Sequence, residues 1–431
     1  MENKYQSWGR TSEASKHAVK LFWRDEIPDL NSFSESLLPY GYGKSYGDSC
    51  LNAKGSLLIT TAMNKIISFD ATSGIIRCEA GISLAQLLDF LVPRGFFLAS
   101  TPGTKFITVG GAIANDVHGK NHHRMGTFGT NLIKFELLRS DGKRYICSET
   151  ENIELYRTTI GGLGLTGLIL WAEFKTRPCK SPFIAMESIK FESLEEFFEI
   201  SAESDTEFEY TVSWLDCGSS MGRGLFSRGN HADPANHNLP KKVKTGTLPA
   251  PPEFSFINPY SVNAFNILYY NIQTEKKVEK IIDYNPFFYP LDAVSNWNLA
   301  YGKHGFFQYQ FVLPFENVLF HLKNILNKVA NSGMSSFLTV LKTFGDKKSP
   351  GLLSFPRPGV TMAIDFRNDG SKTLEFLNSL DKLVNDSGGV LYPAKDSRMS
   401  ADNFKLYYPQ WEQFSGYIDP KFSSDFWKRV I

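Results

Sequence analysis

Short apolar segments divided by turn residues dominate the first third of the chain. Three successive segments are rich in β-branched side chains and are separated by Asn, Asp, Ser and Gly: residues 56–61 (SLLITT), 65–70 (KIISFD) and 74–80 (GIIRCEA). This alternation predicts a meander of short strands. Further along, residues 132–139 and 143–147 flank a Ser-Asp-Gly turn and predict a hairpin, and the apolar run 165–176 predicts a long buried strand.

A helix is predicted directly after the third segment. Ser83 and Gln86 have the spacing of a capping box, in which each side chain satisfies the backbone N–H group of the other residue. Leucines then recur at helical spacing, at positions 84, 87, 88 and 91, until Pro93 and Gly95 end the pattern. Helices and strands therefore mix in this half without the regular alternation of a doubly wound fold.

The second half begins with a change of rhythm in residues 177–190, where two prolines mark a domain boundary. An acidic helix is predicted at 192–203 and a long loop at 227–259. The other predicted elements are strands at 208–216, 306–313, 335–344 and 360–366 and helices near 315–331 and 371–386. The sequence thus predicts an α+β fold with two domains.

Composition narrows the class of protein. With 431 residues, 42% hydrophobic and 21% charged, the chain has the profile of a folded globule, and its net charge of +1 disfavours a dedicated nucleic-acid binder. The five cysteines are scattered and never spaced as CxxC, which argues against a disulfide framework or a zinc knot. Aromatic side chains make up 14%, which suits either a heavily packed core or a binding site that uses rings.

Targeting signals are not evident in the sequence. The first residues lack the basic stretch followed by an apolar run that a secretory signal has. No segment reaches the roughly 18 consecutive apolar residues of a membrane helix. We interpret the protein as soluble and cytoplasmic, with contact at a membrane surface as an added hypothesis below.

The first candidate ligand loop is the cluster GYGKSYGD, from Gly41 to Asp48. Closely spaced glycines let successive backbone N–H groups face one concavity, which can hold a pyrophosphate while Lys44 adds charge. The spacing differs from the dinucleotide-binding fingerprint and from the Walker loop. A glycine-rich turn without a ligand is the alternative interpretation.

Two further glycine clusters lie before residue 170. Thr101 to Gly103 precede the run VGGAIA at 109–114, where small residues would let a helix start approach a flat ligand and its free N–H groups would favour phosphate. Residues 161–167 (GGLGLTG) precede the apolar strand and alone are typical of a tight turn. Two anion-binding loops would together imply one extended ligand.

His118 and His122 are four residues apart, a spacing that suits a metal pair on an uninterrupted helix. Gly119 and Asn121 lie between them and no third ligand is evident. We therefore predict no metal site and interpret these side chains as supporting or solvated histidines.

Polar residues in the second half supply a fourth constellation. Gln308 and Gln310 alternate with Tyr309 in FFQYQFVL, so in a strand both amides face one side, where they would suit sugar hydroxyls. A polar sheet face toward solvent is the alternative. Lys342 and Lys395 are candidates for a phosphate contact and for a group that acts on an alcohol, although a lone lysine is more often a surface residue.

Together these motifs resemble the FAD-binding oxidoreductases of the vanillyl-alcohol oxidase (PCMH-type) superfamily. The resemblance rests on GYGKSYGD, on AGISLAQLLDFLVPRGFFL and on TPGTKFITVGGAIANDVHGKNHH. The segments VHGKNHH, QYQFVLP, LKTFG, AKDSRMS and WEQF resemble more narrowly the decaprenylphosphoryl-β-D-ribose 2′-oxidase branch, the oxidase half of a two-enzyme epimerase. This resemblance implies an FAD-binding domain at 1–178, completed by 390–431, and a substrate domain with an antiparallel sheet at 179–389.

The resemblance also implies roles for individual residues. Non-covalent FAD would be bound by Gly41, Tyr42, Gly43, Lys44, Ser45, Tyr46, Gly103, Thr108, Gly110, Gly111, Asn115, Val117, His118, Gly162, Gly167 and Tyr392. The substrate would contact Tyr46, Lys120, Trp214, Gln308, Gln310 and Lys342. Catalytic roles fall on Lys395, with His118 as second choice for the cation, and on Tyr392.

The implied reaction oxidises the 2′-hydroxyl of a polyprenyl-phospho-β-D-ribose to a 2′-keto sugar, in cell-wall carbohydrate biosynthesis. A short-chain reductase is the implied partner enzyme, and the lipid substrate implies a visit to a membrane surface. Lys241, Lys242 and Lys244 would assist that visit by attracting anionic headgroups, although a solvated charge run is the more common role of such a cluster. Two departures from the branch stand out: its active-site cysteine falls on Ala363 and a neighbouring asparagine on Thr361. Hydride transfer needs no thiol, so these changes bear on pocket polarity.

Two other functions remain open from the sequence. One keeps FAD but oxidises a soluble alditol, aldonolactone or hydroxy acid. The other is a nucleotide-binding scaffold without redox turnover, which a colourless purified protein would favour.

Overall fold

A computed structural model describes residues 5–233, 246–252, 255, 257–334 and 336–431. Its first layer is a small parallel sheet with the strand order β1-β3-β2, made of β1 (His17–Lys20), β2 (Leu37–Tyr40) and β3 (Ser56–Ile59). The predicted meander is wrong for this last strand. β3 pairs in parallel with β1 and β2, which precede it, and not with the next strand in the sequence. All four of its residues are buried, as is typical of a strand in a parallel sheet that is covered on both faces.

A six-stranded sheet follows, with the order β4-β5-β9-β7-β8 and β6 paired to β9. Its strands are β4 (Ile66–Asp70), β5 (Ile75–Glu79), β6 (Phe96–Leu98), β7 (Leu132–Leu138), β8 (Arg144–Ser148) and β9 (Leu168–Pro178). The predicted hairpin is confirmed as the antiparallel pair of β7 and β8. The predicted long strand is confirmed as β9, which begins three residues later than expected because 165–167 still belong to the glycine turn.

The helices of this half are α1 (Leu84–Leu91), α2 (Val109–Ala114), α3 (His122–Met125) and α4 (Ile153–Thr159). The capping box of α1 is confirmed: the Gln86 N–H donates to Ser83 Oγ at 3.1 Å, and the Ser83 N–H donates to Gln86 Oε1 at 3.0 Å. The four leucines of α1 are fully buried and pack it onto the sheet. A left-handed Gly95 ends the following turn, as the sequence predicts.

An eight-stranded antiparallel sheet forms the second half, with the order β14-β10-β12-β11-β17-β18-β16-β19. Its strands are β10 (Phe183–Phe191), β11 (Tyr210–Leu215), β12 (Gly224–His231), β14 (Lys277–Asp283), β16 (Phe306–Leu313), β17 (Thr339–Phe344), β18 (Gly359–Arg367) and β19 (Val390–Leu391). Two short strands, β13 (Gly246–Thr247) and β15 (Val294–Ser295), pair separately.

The predicted loop at 227–259 is wrong where β12 runs. This strand pairs with both β10 and β11, so its backbone groups are satisfied up to His231. Residues 234–245, which contain Lys241, Lys242 and Lys244, lie outside the described residues.

The helices of the second half are α5 (Leu194–Glu207), α6 (Pro259–Ile272), α7 (Tyr284–Phe288), α8 (Val318–Asn331), α9 (Ser371–Asp386), α10 (Ala401–Tyr407), α11 (Trp411–Ser415) and α12 (Asp425–Val430). The predictions of α5, α8 and α9 are confirmed, with α8 starting three residues later than expected. No helix was predicted at α6, where apolar residues occupy nearly every side and leave no clear period. Among the described residues, no helix combines the length and the apolarity needed to cross a membrane.

The segment after β19 returns to the first half of the chain. Phe422 forms a parallel bridge with Leu37. In α12, Arg429 Nη2 donates to Asp48 Oδ1 at 2.8 Å and to Asp396 Oδ2 at 3.0 Å. One guanidinium thus joins the glycine-rich loop to the segment that carries Lys395. The α+β class with two domains is confirmed, whereas the boundaries at 178 and 390 stay a prediction.

Candidate active site

A cavity of about 650 Å³ lies between the glycine-rich loops and one face of the eight-stranded sheet. This volume falls in the range of roughly 300–1,000 Å³ that is typical of small-molecule and cofactor sites. Most residues singled out from the sequence line it: Gly41, Tyr42, Gly43, Lys44, Ser45, Tyr46, Gly103, Thr108, Gly110, Gly111, Asn115, Val117, His118, Lys120, Gly167, Gln308, Gln310, Lys342, Tyr392 and Lys395. The fold therefore brings most of the residues predicted to bind FAD and most of those predicted to bind substrate to one cavity. Their individual roles stay predictions.

Gly162 and Trp214 do not line the cavity. A Cβ on Gly162 would collide with Thr158 O, so packing alone explains glycine there, and Leu163 and Gly164 line the cavity instead. Trp214 lies beyond the lining and donates its indole N–H to Phe337 O at 2.9 Å.

The loop after β2 presents a row of unpaired donors. Within the described part of the chain, the backbone N–H groups from Tyr42 to Ser45 donate to no other residue. Gly43 has a φ of +62°, and a Cβ there would collide with Tyr40 Oη, so only glycine suits this turn. Lys44 Nζ lies 3.4 Å above the Trp8 ring, and burial lowers the pKa of Lys44 to about 8. Such a loop fits a pyrophosphate.

The sequence predicts free N–H groups at the start of α2, and this prediction is wrong. Gly110 N–H donates to Ala80 O at 2.7 Å, and Gly111 N–H donates to Thr108 Oγ1 at 3.0 Å. The small residues here serve close packing against Ala80, with a Cβ on Gly110 meeting that residue at 3.2 Å. Gly103, in contrast, borders open space, since a Cβ there would meet nothing within 4 Å.

His118 lines the cavity, and its ring is held in the neutral form. Gln310 Nε2 lies 3.2 Å from His118 Nε2 and 3.2 Å from Thr361 Oγ1, whose own hydroxyl donates to Phe311 O at 2.8 Å. Gln310 therefore donates to the ring, and the ring carries its proton on Nδ1. Burial and the Lys342 charge hold the pKa of His118 well below its ordinary value. Its Nδ1 is buried without a partner among the described residues, so it is free to donate to a bound group.

Lys395 lies in a second network on the same sheet face. Its Nζ donates to Gln308 Oε1 and sits 3.9 Å from the centre of the Tyr46 ring. Gln308 Nε2 in turn donates to Asp365 Oδ1 at 2.6 Å, and Tyr301 Oη donates to Asp365 Oδ2 at 3.4 Å. Burial lowers the pKa of Lys395 and raises the pKa of Asp365, while their opposite charges oppose both shifts.

Three lysines line this part of the cavity: Lys120, Lys342 and Lys395. Burial lowers the pKa of Lys120 to about 8, and burial together with the Lys120 and Lys395 charges lowers the pKa of Lys342 to about 7. Lys342 Nζ also donates to Gly119 O at 3.1 Å. An anion bound here would be stabilised by these cations and would keep them protonated.

Sequence reasoning missed Asp365 and Trp8. Asp365 faces the cavity side of β18 together with Thr361 and Ala363, because the three are spaced by two residues. The available signal was a single carboxylate in the predicted strand 360–366 (VTMAIDF), which contains no other charged residue. Its pairing with Gln308 depends on strand register, which the sequence does not display.

The residues present fit a flavin dinucleotide in two observed respects. The row of free N–H groups at 42–45 is suited to a pyrophosphate, and the buried His118 Nδ1 is a donor without a partner among the described residues. Open space beside Gly103 adds room for an extended ligand.

Comparison with known proteins identifies the same cofactor. Residues 24–148 match the family model described as FAD binding domain. Decaprenylphosphoryl-β-D-ribose oxidase of Mycolicibacterium smegmatis is 34% identical over 98% of this chain and 96% of its own length. D-arabinono-1,4-lactone oxidase of Yarrowia lipolytica is 27% identical over 35% of this chain and 30% of its own length. L-gulonolactone oxidase of Bos taurus is 29% identical over 41% of this chain and 40% of its own length.

The two lactone oxidases therefore match only part of the chain, whereas the ribose oxidase matches nearly all of it. The cavity, its free donors and this extended likeness lead to one conclusion: the chain belongs to the family of FAD-dependent oxidoreductases that includes decaprenylphosphoryl-β-D-ribose oxidase.

Proposed function

We propose that this protein oxidises the 2′-hydroxyl of a polyprenyl-phospho-β-D-ribose to the 2′-keto sugar. The proposal is supported by the near full-length likeness to the ribose oxidase. The structural observation that carries it is the cluster of Lys120, Lys342, Gln308 and Gln310 around one cavity, because two cations suit a phosphate and two amides suit sugar hydroxyls.

The chain's own residues would divide the work. Lys120 and Lys342 bind the phosphate, and Gln308 and Gln310 orient the ring, so that the reacting carbon is held in one position. When bound, FAD supplies the acceptor for the hydride of that carbon, while the proton of the 2′-hydroxyl leaves to water or to a nearby base. Lys395 would provide positive charge inside the cavity, where burial makes such a charge more effective than it is in water.

FAD itself would be held by the loop from Gly41 to Tyr46, with the N–H groups of 42–45 and Lys44 on the pyrophosphate. His118 would donate from Nδ1, since Gln310 occupies its other nitrogen. Thr361 and Ala363 leave the cavity wall next to Gln310 without a thiol, and Thr361 instead fixes the Gln310 amide.

The keto sugar is a product that a second enzyme must consume, and a short-chain reductase that reduces it from the opposite face would complete an epimerisation. Contact with a membrane surface belongs to the same proposal, because the substrate's polyprenyl chain is insoluble in water.

The test is anaerobic mixing of the yellow holoenzyme with a panel of alcohols. We expect a short-chain prenyl-phospho-ribose to bleach the flavin and free ribose to do so far more slowly. Bleaching by alditols, aldonolactones or hydroxy acids, but not by the prenyl-phosphate sugar, would establish the alternative of a soluble substrate. Absence of flavin absorbance, even after addition of FAD, would leave only the nucleotide-binding scaffold.

A further inference from the structure

The helix α6 exposes an apolar surface that the proposed reaction does not use. Its 14 residues, PYSVNAFNILYYNI, include no Asp, Glu, Lys or Arg. Tyr260 is 88% exposed, Leu268 61% and Ile272 70%, and Ile267 is exposed beside them. Tyr260 and Ile267 are seven residues apart and Leu268 and Ile272 four apart, so they form two neighbouring rows on the side opposite the buried residues of the helix. We call Tyr260, Ile267, Leu268 and Ile272 the outer face of α6.

The opposite side of α6 is anchored by polar contacts. Asn266 is fully buried and donates from Nδ2 to Asp216 Oδ1 at 2.9 Å and to Ser336 O at 3.1 Å. The side chains of Val262 and Tyr270, four residues to either side, are buried on the same stripe. These buried contacts fix the orientation of the helix, so its outer face is held toward the outside of the protein.

Four aromatic side chains connect α6 to the cavity, and we call them the strip: Phe265, Tyr269, Trp214 and Phe337. Phe265 and Tyr269 stack on each other with ring centres 5.6 Å apart, and Tyr269 meets Trp214 at 4.8 Å. Trp214 lies directly opposite Val340 in the pairing of β11 with β17, and Val340 lines the cavity.

A second branch of the strip leads to the same place. Phe265 meets Phe337 edge-on at 5.8 Å, and the next residue, Leu338, lines the cavity. The apolar surface thus continues from the cavity wall to the flank of α6.

From these relationships we infer that α6 docks the protein on a lipid bilayer, with its outer face among the lipid chains and the strip guiding an isoprenoid chain from the bilayer to the cavity. The choice of an isoprenoid rests on the proposed function. An uncharged helix with tyrosine at one end and aliphatic residues along one face suits the boundary between headgroups and hydrocarbon.

The chemistry of α6 favours a bilayer over other occupants. The helix offers no charge for pairing with a protein partner, whereas specific protein interfaces surround an apolar centre with a polar rim. It also offers no charge to anionic lipids, so docking would depend on burial of apolar surface. Binding to neutral lipid that persists in high salt is the consequence.

The experiment is sedimentation of the holoenzyme with vesicles of pure phosphatidylcholine. We expect binding that changes little between about 0.1 M and about 1 M salt. Leu268→Asp should weaken partitioning at least roughly tenfold, because a carboxylate is strongly disfavoured in the lipid layer. Leu406→Asp is the matched control, since Leu406 is a leucine on helix α10 with 63% exposure, and it should bind like the wild type.

Three results would overturn the inference. One is equal vesicle binding by Leu268→Asp and the wild type. Another is loss of wild-type binding in high salt, which would point to a charged segment. The third is a dimer in sedimentation velocity that Leu268→Asp dissociates, without vesicle binding, which would assign the face to a second copy of the chain.

The fate of the proposed function is read separately. A short-chain, water-soluble prenyl-phospho-ribose should bleach the flavin of Leu268→Asp as fast as that of the wild type. If neither protein is bleached, the proposed substrate is wrong, while the vesicle result still decides the role of α6 as a docking helix.

Discussion

Gln308 donates its side-chain N–H to Asp365 across the pairing of β16 with β18, over 2.6 Å. This bond sets which way the Gln308 carboxamide points, so its oxygen is the atom that faces Lys395. Asp365 thus acts on Lys395 through Gln308, and we regard it as a positioning residue.

Replacing Asp365 tests this relay. In Asp365→Asn the new amide can donate to Gln308 Oε1, which turns the Gln308 N–H group toward Lys395 and removes the acceptor of the ammonium. We expect flavin content to be unchanged and the rate of flavin reduction to fall by roughly 10- to 100-fold. In a Gln308→Leu background the same change should cost less than in the wild type, since the relay is already broken and only the direct charge effect of Asp365 on Lys395 is still lost. Additive losses, measured by anaerobic stopped flow, would contradict the relay.

Lys395 itself is the residue predicted to carry the largest catalytic effect. Lys395→Ala should keep the yellow colour yet lower substrate-driven reduction by roughly 10²- to 10³-fold, as expected for removal of a preorganised charge. Lys405→Ala on α10 is the control, because Lys405 does not line the cavity and its ammonium lies 4.9 Å from the centre of the Trp411 ring. Unchanged turnover of Lys395→Ala would remove Lys395 from the mechanism.

Gly103 separates folding from cofactor binding. A Cβ there meets no protein atom within 4 Å, so Gly103→Ala should leave the melting temperature of the apoprotein unchanged. Because Gly103 lines the cavity, we nevertheless expect the added methyl group to weaken FAD binding when apoprotein is titrated with FAD and flavin fluorescence is followed. Gly246→Ala provides the match, since a Cβ on Gly246 also meets nothing within 4 Å and Gly246 does not itself line the cavity. Equal FAD affinity of both variants would mean that FAD does not approach Gly103.

Substrate affinity should fall as pH rises through the neutral range. Lys342, with its pKa lowered to about 7, and Lys120, with its pKa lowered to about 8, are protonated and bind phosphate best below these values. Above them a proton must be taken up on binding, so the dissociation constant should rise by up to roughly tenfold per pH unit for each lysine. The measurement is equilibrium binding of a short-chain prenyl-phospho-ribose to the holoenzyme, with the unphosphorylated prenyl ribose as the reference. A flat pH profile for the phosphorylated compound would exclude these lysines from phosphate binding.

The parts of the site that could be predicted are those that depend on residues close together in the sequence. The alternation of Gln308, Tyr309 and Gln310 is local, and the structure places both amides at the cavity while Tyr309 donates to Asp381 Oδ1 on the other side. The capping box of α1 is local too and was predicted in full.

Long-range pairing was beyond the sequence pattern. The partners of β3 are separated from it by other segments, and the register that places Asp365 opposite Gln308 joins strands more than fifty residues apart. The N–H group of Gly110 looked free because its acceptor, Ala80 O, lies thirty residues earlier and becomes evident only once the backbone is folded. The acceptor of the Gly111 N–H group, the Thr108 hydroxyl, is a local N-cap that sequence reasoning overlooked. Surface exposure of α6 is likewise a property of the tertiary structure.

The contacts of Arg429 have a consequence for protein synthesis. This residue holds Asp48 and Asp396 together, although 381 positions separate it from the first of them. We expect the cavity of a nascent chain to be completed only after Arg429 has left the ribosome, however early the glycine-rich loop is made, because Arg429 ties the segment of Lys395 to that loop. Cofactor loading during translation is therefore expected to be a late event, and a nascent chain stalled before α12 has emerged should bind little FAD.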